Sequence, residues 1–462
     1  MSEARFDLVL VNGRLVVPEH GEVRATVGVT GGRVAALLDP GARPPARETI
    51  DVGGKVVFPG VIDAHTHVTL GPPDGWFTET RAAAVAGITT LLDYQLTSTS
   101  YVAMYPELRR VADSRACIDY GVHFCPSVES HLDELDTWVK DFGVSSFKFY
   151  MNFRGGEGAY LGVAGADDGY LWELTQRVAR YPGAVLCVHT ENIEIANRLQ
   201  SRLIAAGREG LEAWEASRPP VTEAENVNRA AFFGRRASCP IYIVHMSSAA
   251  ALEEVRLARA AGARVHAETC PQYLTHTLDS PLELLAKCNP PLRRREDVDA
   301  LWQGLADGSI DVVGSDHVPR PRAFKSGTTW KASRGGPVLS MILPVLLSEG
   351  VHRRGLPLRR AAELVTLTPA RIFNLYPRKG TIRIGSDADF TVIDLDLERQ
   401  VTTEALQSFA DYTIWEGQRL RGWPVMTISR GRVIARDGAF TGEPGWGRYL
   451  SRPVSNAPIS DR

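Results

Sequence analysis

Eight short apolar runs recur between residues 61 and 315, and the segments between them are long enough to form helices. The runs are Val61–Val68, Ile88–Tyr94, Gly121–Val128, Ser146–Met151, Ala184–Thr190, Ile241–Met246, Arg264–Thr269 and Asp311–Ser315. Spacers such as Ala249–Ala261 are rich in Ala, Leu, Glu and Arg, which are good helix formers. Strands that alternate with helices build parallel sheets, and eight such units are what an α/β fold of the (β/α)8, TIM-like barrel type requires. A doubly wound open sheet is the alternative on this pattern alone.

The two ends have a different texture. Phe6–Val11, Arg14–Val17, Val27–Val29, Val34–Leu38 and Lys55–Phe58 read as short strands, with Asn12-Gly13 as a hairpin signal between the first two. The texture returns in Phe390–Leu395 and Met426–Ala435. This predicts a small β-sandwich domain made from both termini, residues 1–57 and 376–445, around a barrel spanning 58–375. The Pro/Ser-rich stretch 446–462 reads as a poorly ordered arm.

Composition restricts the partners. A 44% hydrophobic, 23% charged chain of net charge −2 has a sizeable core, and it offers no basic field for nucleic acid or an anionic membrane. The opening MSEARFDLVLVNGRL turns polar before a signal-peptide core could form, and no apolar run approaches the ~18 residues of a membrane span. Six scattered cysteines without a CxxC suggest reduced, buried thiols in a cytoplasmic protein.

The chemistry lies in polar residues that interrupt the apolar runs. Asp63-Ala64-His65-Thr66-His67 ends the first run. Residues two apart on a strand share a face, so His65 and His67 project together at the end where barrel enzymes keep their sites. Two such imidazoles form half of a metal site. One HxH is weak evidence, but other polar residues fall at other run ends: Lys148 inside SFKFYM, His189 after VLCV, His245 after YIV and Asp316 after VVGS. A buried lysine is costly unless paired or modified. These polar residues on the first, fourth, fifth, sixth and eighth strands converge on one face of the barrel.

At this point the chain resembles the cyclic amidases of the amidohydrolase superfamily: hydantoinase and dihydropyrimidinase, allantoinase and dihydroorotase. The resemblance spans residues 5–440 and rests on PGVIDAHTH, SFKFYM, VHTE, IVHMSS, ETCPQYL, NPPLR, GSDHVP, LTPARIFNL and GTIRIGSDADF. It implies two divalent ions. His65, His67 and Asp316 would hold one, His189 and His245 the other, with an Nε-carboxylated Lys148 between them. Zinc suits such a mixed shell best, with Mn²⁺ or Co²⁺ as alternatives. The resemblance further implies a small-molecule cyclic amide as substrate, Asp316 as the catalytic base, Asn289 on the ring amide, and a homodimer or homotetramer. A hydantoinase or dihydropyrimidinase is the leading reading, and an allantoinase or another cyclic ureide or imide hydrolase comes second. The family also contains non-enzymatic assembly proteins, but those lack ligands that are intact here.

Three departures bear on the substrate. Val68 follows the HxH where dihydroorotases place an arginine, which counts against that activity. Phe153 stands where hydantoinases place an oxyanion-supporting tyrosine, with Tyr150 on the side of Lys148 as a substitute. Ser333-Arg334-Gly335-Gly336-Pro337 replaces an Asn-Gly element, and Arg334 would favour a polar or anionic substituent if it faces the site. The run 152–169, with six glycines, is a candidate lid.

Overall fold

The computed structural model describes residues 5–454 apart from 161, 163 and 164. All eight apolar runs are strands of one parallel sheet: β1 (Val61–Thr66), β2 (Ile88–Gln95), β3 (Asp119–Phe124), β4 (Ser146–Tyr150), β5 (Val185–His189), β6 (Ile241–Ile243), β7 (Val265–Thr269) and β8 (Val312–Val313). The sheet runs in sequence order from β1 to β8. Helices fill the spacers. The one over Ala249–Ala260 starts where the Ser248 hydroxyl accepts a hydrogen bond from the Ala251 N–H at 3.2 Å.

Alternation along the strands divides the core in two. On β5, Leu186 and Val188 pack outward under the helices, while Val185 and Cys187 join Ile62, Leu92, Tyr242 and Val312 inside the barrel. Closure depends on polar contacts, because β8 is only two residues long. Asp63 accepts hydrogen bonds from the Ser315 N–H (3.1 Å) and hydroxyl (2.6 Å). The His67 N–H donates to the His317 carbonyl at 2.9 Å. These bonds tie the end of the chain's eighth unit to the first.

Strands from both termini build the second domain. In its seven-stranded sheet, Val56–Pro59 lies between Arg14–Val17 and Phe390–Gln400. A four-stranded sheet holds Phe6–Val11. Leu10, Val27 and Val57 of the early segments and Phe390 and Ile428 of the late ones share one apolar cluster.

Three details differ from the sequence reading. Asn12-Gly13 is not a hairpin: Phe6–Val11 and Arg14–Val17 lie in different sheets. Asn12 takes a left-handed φ of 59° and its side chain donates to Asp51 at 2.7 Å, so the turn redirects the chain between sheets. Met426–Ala435 is not one strand but parts of two, Arg419–Ser429 and Arg432–Arg436, which reverse at Arg430-Gly431. The expected loose arm fails over its described part. Leu450 and Arg452 are fully buried, and Arg452 donates to the Ser146 hydroxyl at 2.6 Å and to the Val122 carbonyl. Residues 455–462 of that expectation lie outside the described residues.

An ion cluster joins the two units. Lys379 is buried and its Nζ meets Asp119 of β3 at 2.6 Å, Asp387 at 3.0 Å and Asp389 at 2.5 Å. Arg430 forms a further ion pair with Asp119. Removing one partner of a buried ionic group leaves uncompensated charge, at a cost of about 3–5 kcal/mol. Lys379→Met should therefore lower unfolding stability by about that amount in urea titrations. A loss below about 1 kcal/mol would show that the cluster does not secure the domains.

Candidate metal centre and its pocket

Each candidate ligand sits where a barrel strand ends. His65 lies in β1 and His67 just past it; Lys148 is in β4, His189 closes β5, and His245 and Asp316 follow β6 and β8. His245 and Asp316 have left-handed φ angles of 41° and 50°. Non-glycine residues in that region carry strain, which functional sites often retain.

The glutamate of β7, Glu268, organises the first group. Its Oε1 accepts from His65 Nδ1 at 2.6 Å and from the His245 backbone N–H at 2.9 Å, and its Oε2 accepts from the Tyr242 hydroxyl at 2.8 Å. With its proton on Nδ1, His65 presents a bare Nε2 lone pair. A Cβ at Gly314 would lie 2.5 Å from Glu268 Oε2, so the close approach of β8 requires glycine there. His189 has a similar partner, Glu191, 2.8 Å from its Nε2, which leaves Nδ1 for a ligand.

The ligand atoms fit a cation better than they fit each other. His65 Nε2 and His67 Nε2 lie 3.2 and 3.3 Å from the same Asp316 oxygen, Oδ1. Metal–ligand bonds of about 2.0–2.1 Å in tetrahedral array give ligand–ligand edges of about 3.3 Å. The His65–Asp316 contact is short yet is not aligned as a hydrogen bond. The Lys148 Nζ and His245 Nδ1 are buried with no hydrogen-bond partner among the described residues. Orphaned atoms of this kind are costly in a folded interior. The His189 and His245 rings are 4.4 Å apart, and His65 is 5.4 Å from His245, so the three imidazoles converge.

Electrostatics agree with this arrangement. Burial disfavours a charged His65, but the Glu268 and Asp316 carboxylates outweigh it and raise its pKa. Burial holds His67 down to about 4 and pushes His189 and His245 below their usual range, so these three imidazoles keep free lone pairs. Burial raises Asp316, but His65 and His67 more than reverse this and keep it ionised. Burial also pushes the Lys148 amine down, toward its uncharged form.

These residues open into a cleft of about 900 Å³, counting its mouth. Asn289, Tyr150, Phe153 and Arg334 all line it, as do Asn152, Glu157 and Arg320, which the sequence reading did not single out. The Tyr150 and Phe153 rings stack 4.0 Å apart, and the Tyr150 hydroxyl contacts the Cys125 thiol. From the glycine-rich run, Asn152, Phe153 and Glu157 reach the cleft wall; Leu161, Val163 and Ala164 lie outside the described residues.

Comparisons place this geometry among known proteins. Residues 221–434 match the model of the amidohydrolase family. The chain is 35% identical to the L-hydantoinase of Paenarthrobacter aurescens, over 97% of this chain and 98% of that one. It is 37% identical to the allantoinase of Deinococcus radiodurans, over 97% and 99%. The solved L-hydantoinase (dihydropyrimidinase) of Arthrobacter aurescens superposes with a TM-score of 0.91 at 34% identity, covering 97% and 100%. The dihydropyrimidinase of Brevibacillus agri does so at 0.89 and 31%, covering 97% and 99%. The chain belongs to the amidohydrolase family. Within it, it falls in the cyclic-amidase group.

Glu268→Gln keeps the shape but removes the charge that orients His65. Lost support of this kind lowers metal affinity about 10–100-fold. A chelator competition should show that drop with the melting temperature nearly unchanged, and equal affinity would mean that Glu268 does not orient the ligand.

Proposed function

We propose that the protein hydrolyses the C–N bond of a cyclic amide of the hydantoin or dihydropyrimidine type, using two divalent ions, zinc by preference. The observation that carries this reading is the convergence of His65, His67 and Asp316 at coordination spacing, with Lys148 Nζ and His245 Nδ1, which have no hydrogen-bond partner among the described residues, beside them. His65, His67 and Asp316 would hold one ion, and His189 and His245 the other. A carboxylated Lys148 would lie between the two. Its amine is pushed toward the neutral form that adds to CO₂, and the resulting carbamate replaces an orphan in an apolar strand with an anion.

When bound, a pair of such ions acidifies water and polarises an amide carbonyl. The chain's own residues supply the remaining functions. Asn289 and Asn152 line the cleft, and their side-chain carbonyl oxygens are buried with no hydrogen-bond partner among the described residues, which suits them to accept from the N–H groups of a cyclic amide or ureide. Leaving such oxygens buried and unmatched costs about 1–3 kcal/mol each, so a ring that donates to them is favoured. The Tyr150–Phe153 stack offers a flat wall for the ring. Asp316 has Oδ1 between the two imidazoles. This leaves Oδ2 to take a proton from the attacking water and to deliver it to the departing ring nitrogen.

An allantoinase activity is the second reading, favoured by Arg320 and Arg334 in the cleft wall, where a polar ring substituent would lie. We also infer a homo-oligomer, dimer or tetramer, and a cytoplasmic setting. Six buried free cysteines agree with the latter.

Elemental analysis should find about two divalent ions per chain, as binuclear hydrolases require. Lys148→Ala should lower that content and abolish ring opening of hydantoin and dihydrouracil. Asp316→Asn should stay folded and lose kcat by several orders of magnitude, because both proton transfers pass through it. Full activity in Lys148→Ala, or near-normal kcat in Asp316→Asn, would overturn the corresponding role.

A further inference from the structure

Two buried polar residues beside the centre have no part in the roles assigned so far. Glu79 lies on the helix Gly75–Val85 between β1 and β2, and His317 directly follows Asp316. Neither is among the described residues that line the cleft. His317 Nε2 lies 2.8 Å from Glu79 Oε2. On the other side of the ring, Nδ1 accepts from the Val338 N–H at 3.0 Å and the Leu339 N–H at 3.3 Å. These two donors open the helical turn Leu339–Met341, whose first N–H groups find no partner inside the turn. With Nδ1 used as an acceptor, the ring carries its proton on Nε2 and donates it to Glu79.

Glu79 gathers further donors from the second domain. It accepts from the Ser408 hydroxyl at 2.7 Å and the Phe409 N–H at 2.9 Å, in the segment between the strands Phe390–Gln400 and Arg419–Ser429. The Thr78 hydroxyl adds a fourth bond at 2.9 Å. Oε2 meets the imidazole N–H and Oε1 meets the Phe409 N–H, and neither of these groups can accept. An amide nitrogen in either place would face a donor, so the position calls for a carboxylate.

His317 passes this anchorage to Asp316 through the main chain. Its N–H donates to the Ser315 hydroxyl at 3.2 Å, and its carbonyl accepts from the His67 N–H at 2.9 Å. Asp316 sits between them at a φ of 50°, a conformation that persists in a non-glycine residue only when its surroundings enforce it. Asp63 holds the residue before Asp316, and the imidazole holds the residue after it.

We propose that His317 and Glu79 are positioning residues for Asp316, holding the strained turn that presents its carboxylate to His65 and His67. The proposal rests on the reading of Asp316 as ligand and base. Neither residue touches the substrate, and their influence passes through Asp316. A pair that only stabilised the fold would matter equally with Asp316 present or replaced, whereas a positioning pair matters only while the carboxylate is there to be aimed.

A double-mutant cycle between Glu79→Gln and Asp316→Asn tests this on the metal-loaded protein. With Asp316 intact, Glu79→Gln should lower kcat for hydantoin by about 10–100-fold and leave KM within about 3-fold. Chelator competition should show metal affinity falling about 10-fold. In the Asp316→Asn background the same substitution should change neither quantity by more than about 3-fold. Glu79→Asp should restore part of kcat. His317→Gln can still donate to Glu79 but offers the Val338 and Leu339 N–H groups no acceptor at Nδ1, and it should repeat the pattern; it carries the cycle if Glu79→Gln does not fold. Melting temperatures within a few degrees of the parent identify folded variants. Equal losses in both backgrounds, or a change in KM larger than that in kcat, would overturn the proposal. If the parent opens no cyclic amide, the hydrolase reading falls and metal affinity decides the pair: a loss confined to the background with Asp316 upholds it, and equal losses sink it. Ring opening by the parent with equal losses removes the pair and leaves the hydrolase reading intact.

Discussion

One buried carboxylate holds the centre together. Glu268 receives a side chain from β1, a backbone N–H from the end of β6 and a phenol from β6 itself. A lone carboxylate in an apolar barrel would be prohibitively costly, and three donors make it tolerable. In return it selects the tautomer of His65 and steadies the left-handed turn at His245. Its space is made by a missing Cβ on Gly314. Glu268 thus orients the His65 ring and the backbone at His245, while Glu191 orients His189.

The barrel supplies the setting. Parallel strands deliver their last residues to one rim, and short polar ties finish the closure that the two-residue β8 cannot complete by pairing alone. Asp63 does this work from just beneath the rim, and Asp93 of β2 ties down the chain that leaves β1. Asp63 holds Ser315, and Asp93 accepts from the Val68 N–H at 2.7 Å, which fixes the chain after His67. Burial pushes these carboxyls up to about 6 and about 7, a measure of how far they lie from water.

Much of this was legible in the sequence. The eight strands are periodic and apolar, and the ligand set appears as polar residues where an apolar run should continue. The same signal marks Glu268, in Val265–Thr269, and Glu191, two residues beyond His189, although neither was singled out. What escaped depends on contacts distant in sequence. Ala46–Asp51 is a polar, largely exposed strand recognisable only by its pairing with Phe6–Val11. Asn12-Gly13 has hairpin chemistry, and it turns the chain between sheets because Val57 and Val52 pack around Gly13. Arg452 looks like tail until Ser146 and Val122 receive it. Glu157 and Arg320 acquire meaning only when the loops after β4 and β8 meet over the cleft.

The interleaving of the terminal strands has a consequence for the order of assembly during synthesis. Val56–Pro59 emerges early, yet its partner on one edge, Phe390–Gln400, is made some 330 residues later. At about 5–20 residues per second, that strand waits roughly 15–65 s with an unpaired edge. Unpaired edges recruit other chains. The barrel, whose strands pair with their immediate successors, can condense in that interval and bury the polypeptide leading out of Pro59. The nascent chain is therefore most exposed to misassembly on the ribosome before Phe390–Gln400 arrives.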